Sequence, residues 1–182
     1  MGSAATAGVD VRDSPTMESA RVEAIHVVED RGRPPRSLTR VRAIPGAGLE
    51  GDRYARGRGT WCRHGSRGHG RDLTLVEAEE VERLALDFRI ELGPGETRRN
   101  VTTRGVRLPE LVGHRFRIGE VTCEGIRLCE PCTYLDEVTG KPVREPLRHR
   151  AGLRADILTD GHVAVGDPIV DLGPVAGEPA PQ

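Results

Sequence analysis

Between Arg21 and Leu172 the apolar residues come in short runs, and glycine, proline or an Asp-Gly pair closes most of them. RVEAIHVVE (21–29) is apolar and rich in β-branched residues, so it reads as a buried strand. Asp30 to Arg36 holds Gly32, Pro34 and Pro35 and must turn. SLTRVRAI (37–44) sets Val41 and Ala43 against Arg40 and Arg42, the alternation of a half-buried strand. Asn100–Thr103, Arg115–Ile118 and Val121–Leu128 continue the series, punctuated by Gly113 and Gly119. Asp156–Leu158 and His162–Val165 flank Thr159-Asp160-Gly161, which predicts a hairpin. Gly166-Asp167-Pro168 then turns the chain into Ile169–Leu172. Many short strands with glycine turns predict a small β-barrel or sandwich carrying one or two helices. Only 3% of residues are aromatic (Tyr54, Trp61, Phe88, Phe116 and Tyr134), so the core must be built from Val, Leu, Ile and Ala.

One segment breaks the strand rhythm. DLTLVEAEEVERLALDF (72–88) reads as a short strand, Leu73–Leu75, running into a helix. Thr74 and Glu77 have the spacing of a capping box. Val81, Leu84, Ala85 and Phe88 make one apolar stripe. Glu77, Glu79, Glu80 and Glu82 crowd the first turns, where the helix dipole favours them, and are expected to form a solvated face. Gly93, Pro94 and Gly95 end the element. The glycine-rich stretch from Gly46 to Gly70 is longer than an ordinary connection, which marks it as functional or mobile. The expected organisation is a disordered leader over 1–20, one domain over 21–172 and a flexible tail over 173–182.

Composition removes several function classes. The formal net charge is -1, which argues against a general polyanion binder. Aromatic and basic residues are not interleaved as a single-strand nucleic-acid platform requires. No apolar run is long enough to span a bilayer. Residues 1–18 hold neither a basic n-region nor an apolar h-region, so a cytoplasmic location with reduced thiols is expected. Lys141 is the only lysine. The basic chemistry is therefore that of arginine, whose planar fork grips phosphate or carboxylate and keeps its charge.

Three constellations carry possible chemistry. LCEPCTYL (128–135) places Cys129 and Cys132 in C-x-x-C spacing. It is half of a zinc site that only Cys62, His64 and His69, irregularly spaced, would complete. It is also the spacing of a redox dithiol, but the chain lacks βαβ alternation around it. Two packed core thiols are the third possibility. Cys132 follows a proline and starts a polar stretch, so its thiol is expected to be accessible, as a nucleophile or metal ligand must be. The second constellation is arginine-rich: Arg98, Arg99 and Asn100 in TRRNV (97–101), Arg127 before the cysteines, and His149, Arg150 and Arg154 in HRAGLRA (149–155). Together these fit an anion pocket beside a thiol. The third is GLEGDRY (48–54), in which Gly48 and Gly51 allow tight turns around Asp52 and Arg53. It is neither a Walker loop nor a Rossmann fingerprint.

Taken in order, GLEGDRY (48–54), RDLTLVEAEEVE (71–82), PGETRRNV (94–101), LPELVGHRFRIGEV (108–121), RLCEPCTYLDEVTG (127–140), HRAGLRADIL (149–158) and GHVAVGDPI (161–169) resemble the MOSC family. This domain is also found at the C-terminus of molybdenum cofactor sulfurase. The resemblance is to the compact stand-alone bacterial branch and implies a mixed, mainly β fold, a distorted barrel with one or two helices. It implies that Cys132 is the family's characteristic cysteine, a molybdenum ligand in amidoxime-reducing relatives and a persulfide carrier in sulfurase-type ones. It implies that Arg98 and Asn100 lie near the phosphate end of the molybdenum cofactor, molybdopterin. Asp52 and Arg53 fall in a shared motif, and Arg127, Arg150 and Arg154 flank the cysteine segment. Cys129 is placed to resolve a Cys132 persulfide as a disulfide.

Three functions follow as expectations. The first is a molybdenum-dependent oxidoreductase acting on N-hydroxylated or related small molecules, with an electron-transfer protein as partner. The second is a sulfurtransferase taking sulfane sulfur from a cysteine desulfurase, a pyridoxal-phosphate enzyme. The third is a non-catalytic binding module. None of the three calls for nucleic acid or a membrane.

Overall fold

A computed structural model describes residues 19–57 and 69–175. Residues 1–18 of the expected leader, Cys62, His64 and residues 176–182 lie outside the described residues. The strands are β1 (Arg21–Val27), β2 (Arg36–Leu38), β3 (Arg40–Ile44), β4 (Gly48–Leu49), β5 (Leu73–Glu77), β6 (Val101–Arg104), β7 (His114–Ile118), β8 (Val121–Leu128), β9 (Leu153–Ile157), β10 (Gly161–Ala164) and β11 (Ile169–Pro174). The helices are α1 (Ala78–Phe88) and α2 (Thr133–Thr139), with a 3-10 turn at Leu108–Leu111. The fold is mainly β, as expected. Among the described residues no helix is long and apolar enough to cross a membrane.

Eight strands form one curled sheet in the order β11-β7-β8-β9-β5-β6-β1-β2, and β10-β3-β4 form a second. Among the described residues only β5 and β6 pair in parallel, and α1 is the crossover such a pair requires. The turn before β11 draws the two sides of the large sheet together. Val22 N donates to Asp167 O at 2.9 Å, Gly166 N to Val22 O at 2.8 Å and Ile169 N to Ala20 O at 2.9 Å. Inside the curl pack Val22, Ile25, Leu73, Leu75, Val101, Phe116, Ile118, Val121 and Leu153, an aliphatic core with one aromatic ring. Gly152 (φ +112°) lies against the Leu75 carbonyl, where a Cβ would collide, so β9 can approach β5 only with glycine there.

Several expectations are corrected. The Asp160-Gly161 turn does not make a hairpin: β9 pairs with β5 and β8, whereas β10 crosses to β3. Arg42 of β3 secures that crossing with hydrogen bonds of 3.0 and 2.9 Å to Asp160. The run 37–44 breaks at Thr39, so that β2 pairs with β1 and β3 joins the smaller sheet. β11 runs two residues beyond the strand end expected at Leu172.

The capping box is absent. β5 continues to Glu77, which becomes the α1 N-cap without a side-chain capping bond, and the Thr74 hydroxyl is engaged by Asn100. Of the expected stripe only Leu84 is fully buried, and Phe88 is 46% exposed. Helix α2 has no sequence period to announce it. Its Leu135 joins Leu84, Val143, Leu147 and Ala151 in a small second core.

Two of the four glutamates do not join a solvated face: Glu77 and Glu80 are buried, whereas Glu82 is exposed. Glu77 accepts from Leu108 N at 2.9 Å and Arg107 Nη1 at 2.8 Å, yet burial pushes its carboxyl above the ordinary range. Glu80 accepts from Arg83 Nε at 2.8 Å and Arg150 Nη1 at 3.0 Å. Burial alone would raise the Glu80 carboxyl, but these two guanidiniums outweigh it and hold the group below its usual value. Stability from Glu80 is therefore present above the ordinary glutamate pKa and lost as pH falls through the lowered one. Glu80→Gln is expected to cost about 1–2 kcal/mol near neutrality. The difference from wild type should shrink as the pH falls through the ordinary glutamate range and below it, as urea midpoints at neutral and acid pH will show.

Candidate active site

Where β1, β5, β6 and β9 meet the start of α2, a cavity of about 220 Å³ opens. Its frame is a set of half-buried hydrogen bonds centred on Asn100, the residue before β6. Asn100 Oδ1 accepts from Thr74 Oγ1 at 2.8 Å and from Thr74 N at 3.2 Å. Its Nδ2 donates to His26 O and to Asp52 Oδ2, both at 3.3 Å. Asp52 Oδ2 also accepts from Val28 N at 2.9 Å, and Oδ1 accepts from Tyr54 N at 3.0 Å. One amide and one carboxylate thus fix β1, β5 and the 52–54 turn around the cavity. Opposite, Gly95 passes so close that a Cβ would lie 2.7 Å from His26 Cδ2 and 2.7 Å from Pro35 Cβ.

Arg99 holds the cysteine segment. Its Nε donates to Ala151 O at 2.9 Å and its Nη2 to Cys129 O at 3.0 Å. Cys129 N donates in turn to Gly152 O at 2.7 Å. The chain then turns, and Cys132 is presented at the N-cap of α2, exposed and in the cavity wall.

The electrostatics are one-sided. Arg31, Arg53, Arg71, Arg98, Arg99 and Arg154 line the cavity, against the single carboxylate of Asp52, which is already covered by three donors. Arg98, in the left-handed region (φ +59°), donates to Arg33 O at 2.6 Å. Arg31 stacks over Tyr134 at 5.1 Å and Arg53 over Tyr54 at 5.4 Å. The Arg154 guanidinium makes no hydrogen bond or ion pair with any described residue. Such a chamber suits a ligand with a multiply charged anionic end.

The cavity brings together Asp52, Arg53, Arg98, Asn100, Arg154 and Cys132 from the sequence expectation. It does not include Arg127, Arg150 or Cys129. Arg127 Nη1 donates to His69 O at 3.0 Å, and Arg150 is paired with Glu80. Cys129 is 1% exposed, so its thiol is packed in the interior and is not placed as a resolving partner. Asp52 and Asn100 serve as frame, because their polar atoms are engaged by the protein.

Missed by the sequence reading were His26, Arg31, Arg71 and Tyr134. Arg71 and Tyr134 fall within the quoted segments RDLTLVEAEEVE and LCEPCTYL, where other residues drew the attention, His26 and Arg31 fall in no motif, and only the sheet topology converges the four. Cys123 is fully buried; desolvation, reinforced by Asp72 and Asp156, pushes its thiol up to about 12. His69 pairs with Asp156 at 3.1 Å. Among the described residues no three His, Cys, Asp or Glu side chains cluster as a metal site. Cys62 and His64, which the zinc alternative calls for, lie outside the described residues.

Comparison with known proteins agrees with this architecture. A family model described as MOSC domain matches residues 63–170. The fold is similar to that of the YuaD protein from Bacillus subtilis, at 19% identity and TM-score 0.69, over 83% of this chain and 94% of that one. It is also similar to YiiM from Geobacillus stearothermophilus (14%, TM-score 0.65, 87% and 77%) and YiiM from Escherichia coli (18%, TM-score 0.61, 85% and 71%). No curated protein matches the chain.

The burial differences predict thiol reactivity. In native protein treated with iodoacetamide, Cys132 should alkylate at least ~10-fold faster than Cys123 and Cys129. Those two should react only in denaturant, as peptide mass spectrometry resolves residue by residue.

Proposed function

This chain belongs to the MOSC domain family, and on that premise we propose that its cavity binds the molybdenum cofactor, with Cys132 as the thiolate ligand of molybdenum. The observation that carries the reading is one chamber holding an exposed thiol and an arginine cluster with no uncommitted carboxylate. The donor chemistry fits the group. A soft thiolate suits molybdenum, and guanidinium forks suit the terminal phosphate of the pterin. Arg154, Arg53 and Arg98 would hold the phosphate; Asp52 and Asn100 keep the chamber open, and Arg99 positions the Cys132 segment through the Cys129 carbonyl. When bound, the cofactor supplies two-electron redox chemistry. The proposed reaction is reduction of N-hydroxylated or related small molecules, with electrons from a partner protein, in the cytoplasm.

A second reading rests on the exposure of Cys132. A thiol open to solvent can be reached by a cysteine desulfurase. The Cys132 thiolate would attack the outer sulfur of the donor's persulfide, and the donor cysteine would leave as a thiolate. Buried Cys129 takes no part in that exchange.

Molybdenum and pterin per chain, measured after expression in a host that makes the cofactor, separate the two. The cofactor reading expects near-stoichiometric amounts of both in wild type, loss of molybdenum in Cys132→Ala, and a roughly tenfold loss of pterin retention in Arg154→Ala. Absence of molybdenum from wild type, with a single added sulfur on Cys132 in the intact mass, would replace it with the carrier reading.

A further inference from the structure

Of the six arginines that line the cavity, five are half-buried and Arg31 alone is exposed. Cys132 is the exposed thiol of the same cavity. These two residues therefore share its open side, whereas the arginines assigned above to a phosphate are more deeply covered. Tyr134 connects them. It lies two residues beyond Cys132, in the first turn of α2, and Arg31 sits over its ring at 5.1 Å.

Arg31 is positioned without being neutralised. Apart from that ring, its guanidinium has no hydrogen-bond or ion-pair partner among the described residues. Stacking uses the face of a guanidinium and leaves its edge N–H donors for a carboxylate. Glu29, two residues before Arg31, pairs with Arg36 at 3.5 Å. Glu130, two residues before Cys132, accepts from His149 N at 2.9 Å and pairs with its Nδ1 at 2.8 Å. The loop that carries Arg31 is anchored on both sides. Val28 N donates to Asp52 Oδ2 at 2.9 Å before it, and Arg33 O accepts from Arg98 Nη1 at 2.6 Å after it. Gly32 (φ +80°) makes the turn between, with Arg33 N on Asp30 O at 3.2 Å. An arginine on an unanchored loop would spread its charge over many positions; here ring and anchors fix it on the side where the thiol is open.

We infer that Arg31, stacked on Tyr134, is a subsite for an anionic group of the molecule that reaches Cys132, so that the site selects small substrates bearing a carboxylate. This rests on Cys132 marking the reacting centre, which both readings above share, and adds the charge class of the substrate. The half-buried arginines serve a group held inside the chamber. Arg31 serves what arrives from solvent, through its charge and the fork geometry that fits a carboxylate.

The test uses the full chain, purified from a host that does not make the cofactor, and two reagents that differ by one negative charge, iodoacetate and iodoacetamide. Both alkylate the thiolate, so a change in the reactivity of the thiol itself cancels in the ratio of their rates at Cys132. Peptide mass spectrometry reads that ratio. Arg31→Gln should lower it roughly threefold, the range of an exposed ion pair. Arg40→Gln removes the same charge from an exposed residue of β3 outside the cavity and should leave the ratio at its wild-type value. Both positions are exposed, so both variants should melt with the wild type. An Arg31→Gln ratio equal to wild type, or an equal fall in Arg40→Gln, would overturn the subsite and leave the molybdenum and persulfide readings standing, because neither depends on Arg31. A native wild type in which Cys132 reacts with neither reagent would overturn Cys132 as the reacting centre, and this inference with it.

Discussion

The Asn100 amide ties together three stretches of chain that are remote in sequence. It receives the Thr74 hydroxyl and backbone of β5, donates to the His26 carbonyl of β1, and donates to the Asp52 carboxylate. Its backbone continues the lock, with Asn100 N on Thr74 O at 2.9 Å and His26 N on Asn100 O at 2.7 Å. Asparagine suits this junction because one side chain offers both donors and acceptors without a net charge. An aspartate there would repel Asp52 and could not donate. A network partly withdrawn from water is costly if incomplete and rigid when complete, and here both amide atoms are engaged. The cavity is the space these fixed strands leave between themselves and α2.

That rigidity determines where charge can reside. The arginines around the cavity are held by backbone carbonyls and ring faces more than by carboxylates. A carbonyl orients a guanidinium without cancelling its charge, so the positive potential survives for a ligand. The buried carboxylates of Glu77 and Glu80 are kept apart from the cavity and are matched to Arg83, Arg107 and Arg150. Arg150 is four residues from Arg154, yet it belongs to this structural cluster, whereas Arg154 belongs to the cavity. Adjacent arginines on one loop and strand thus perform opposite tasks.

This division explains what the sequence could and could not reveal. Strand β8 was legible to its last residue, because apolar content and glycine boundaries are local signals. The core was legible for the same reason. Pairing was not. Asp160-Gly161 is a sound hairpin signal, but a turn specifies only a reversal, and β10 found its partner in β3. The capping box failed because Thr74 had a stronger tertiary partner in Asn100. At the site, motifs exposed Cys132, Arg53 and Arg98, while His26 read only as one residue of a buried strand. The difference between Arg154 and Arg127 depends on a bulge in β8, where the register shifts between Gly125 and Arg127 beside Arg154 of β9. No one-dimensional pattern carries that information.

The cysteines show the same principle at the level of reactivity. Three thiols lie within ten residues, and each meets a different environment. Cys123 alternates inward on β8, where burial, reinforced by Asp72 and Asp156, suppresses its thiolate. Cys129 ends the strand's path with its backbone bound at both ends, the carbonyl by Arg99 and the amide by Gly152, and its side chain turned to the interior. Cys132 follows Pro131, which cannot donate a backbone hydrogen bond and so helps release the chain from the sheet. The C-x-x-C spacing is therefore a by-product of a strand ending in a fixed anchor followed by a turn. Cys129 fixes the position of the backbone, and Cys132 presents the sulfur. A redox dithiol needs both sulfurs on one surface, whereas a single presented thiol beside a cationic chamber needs this division between anchor and reactive group.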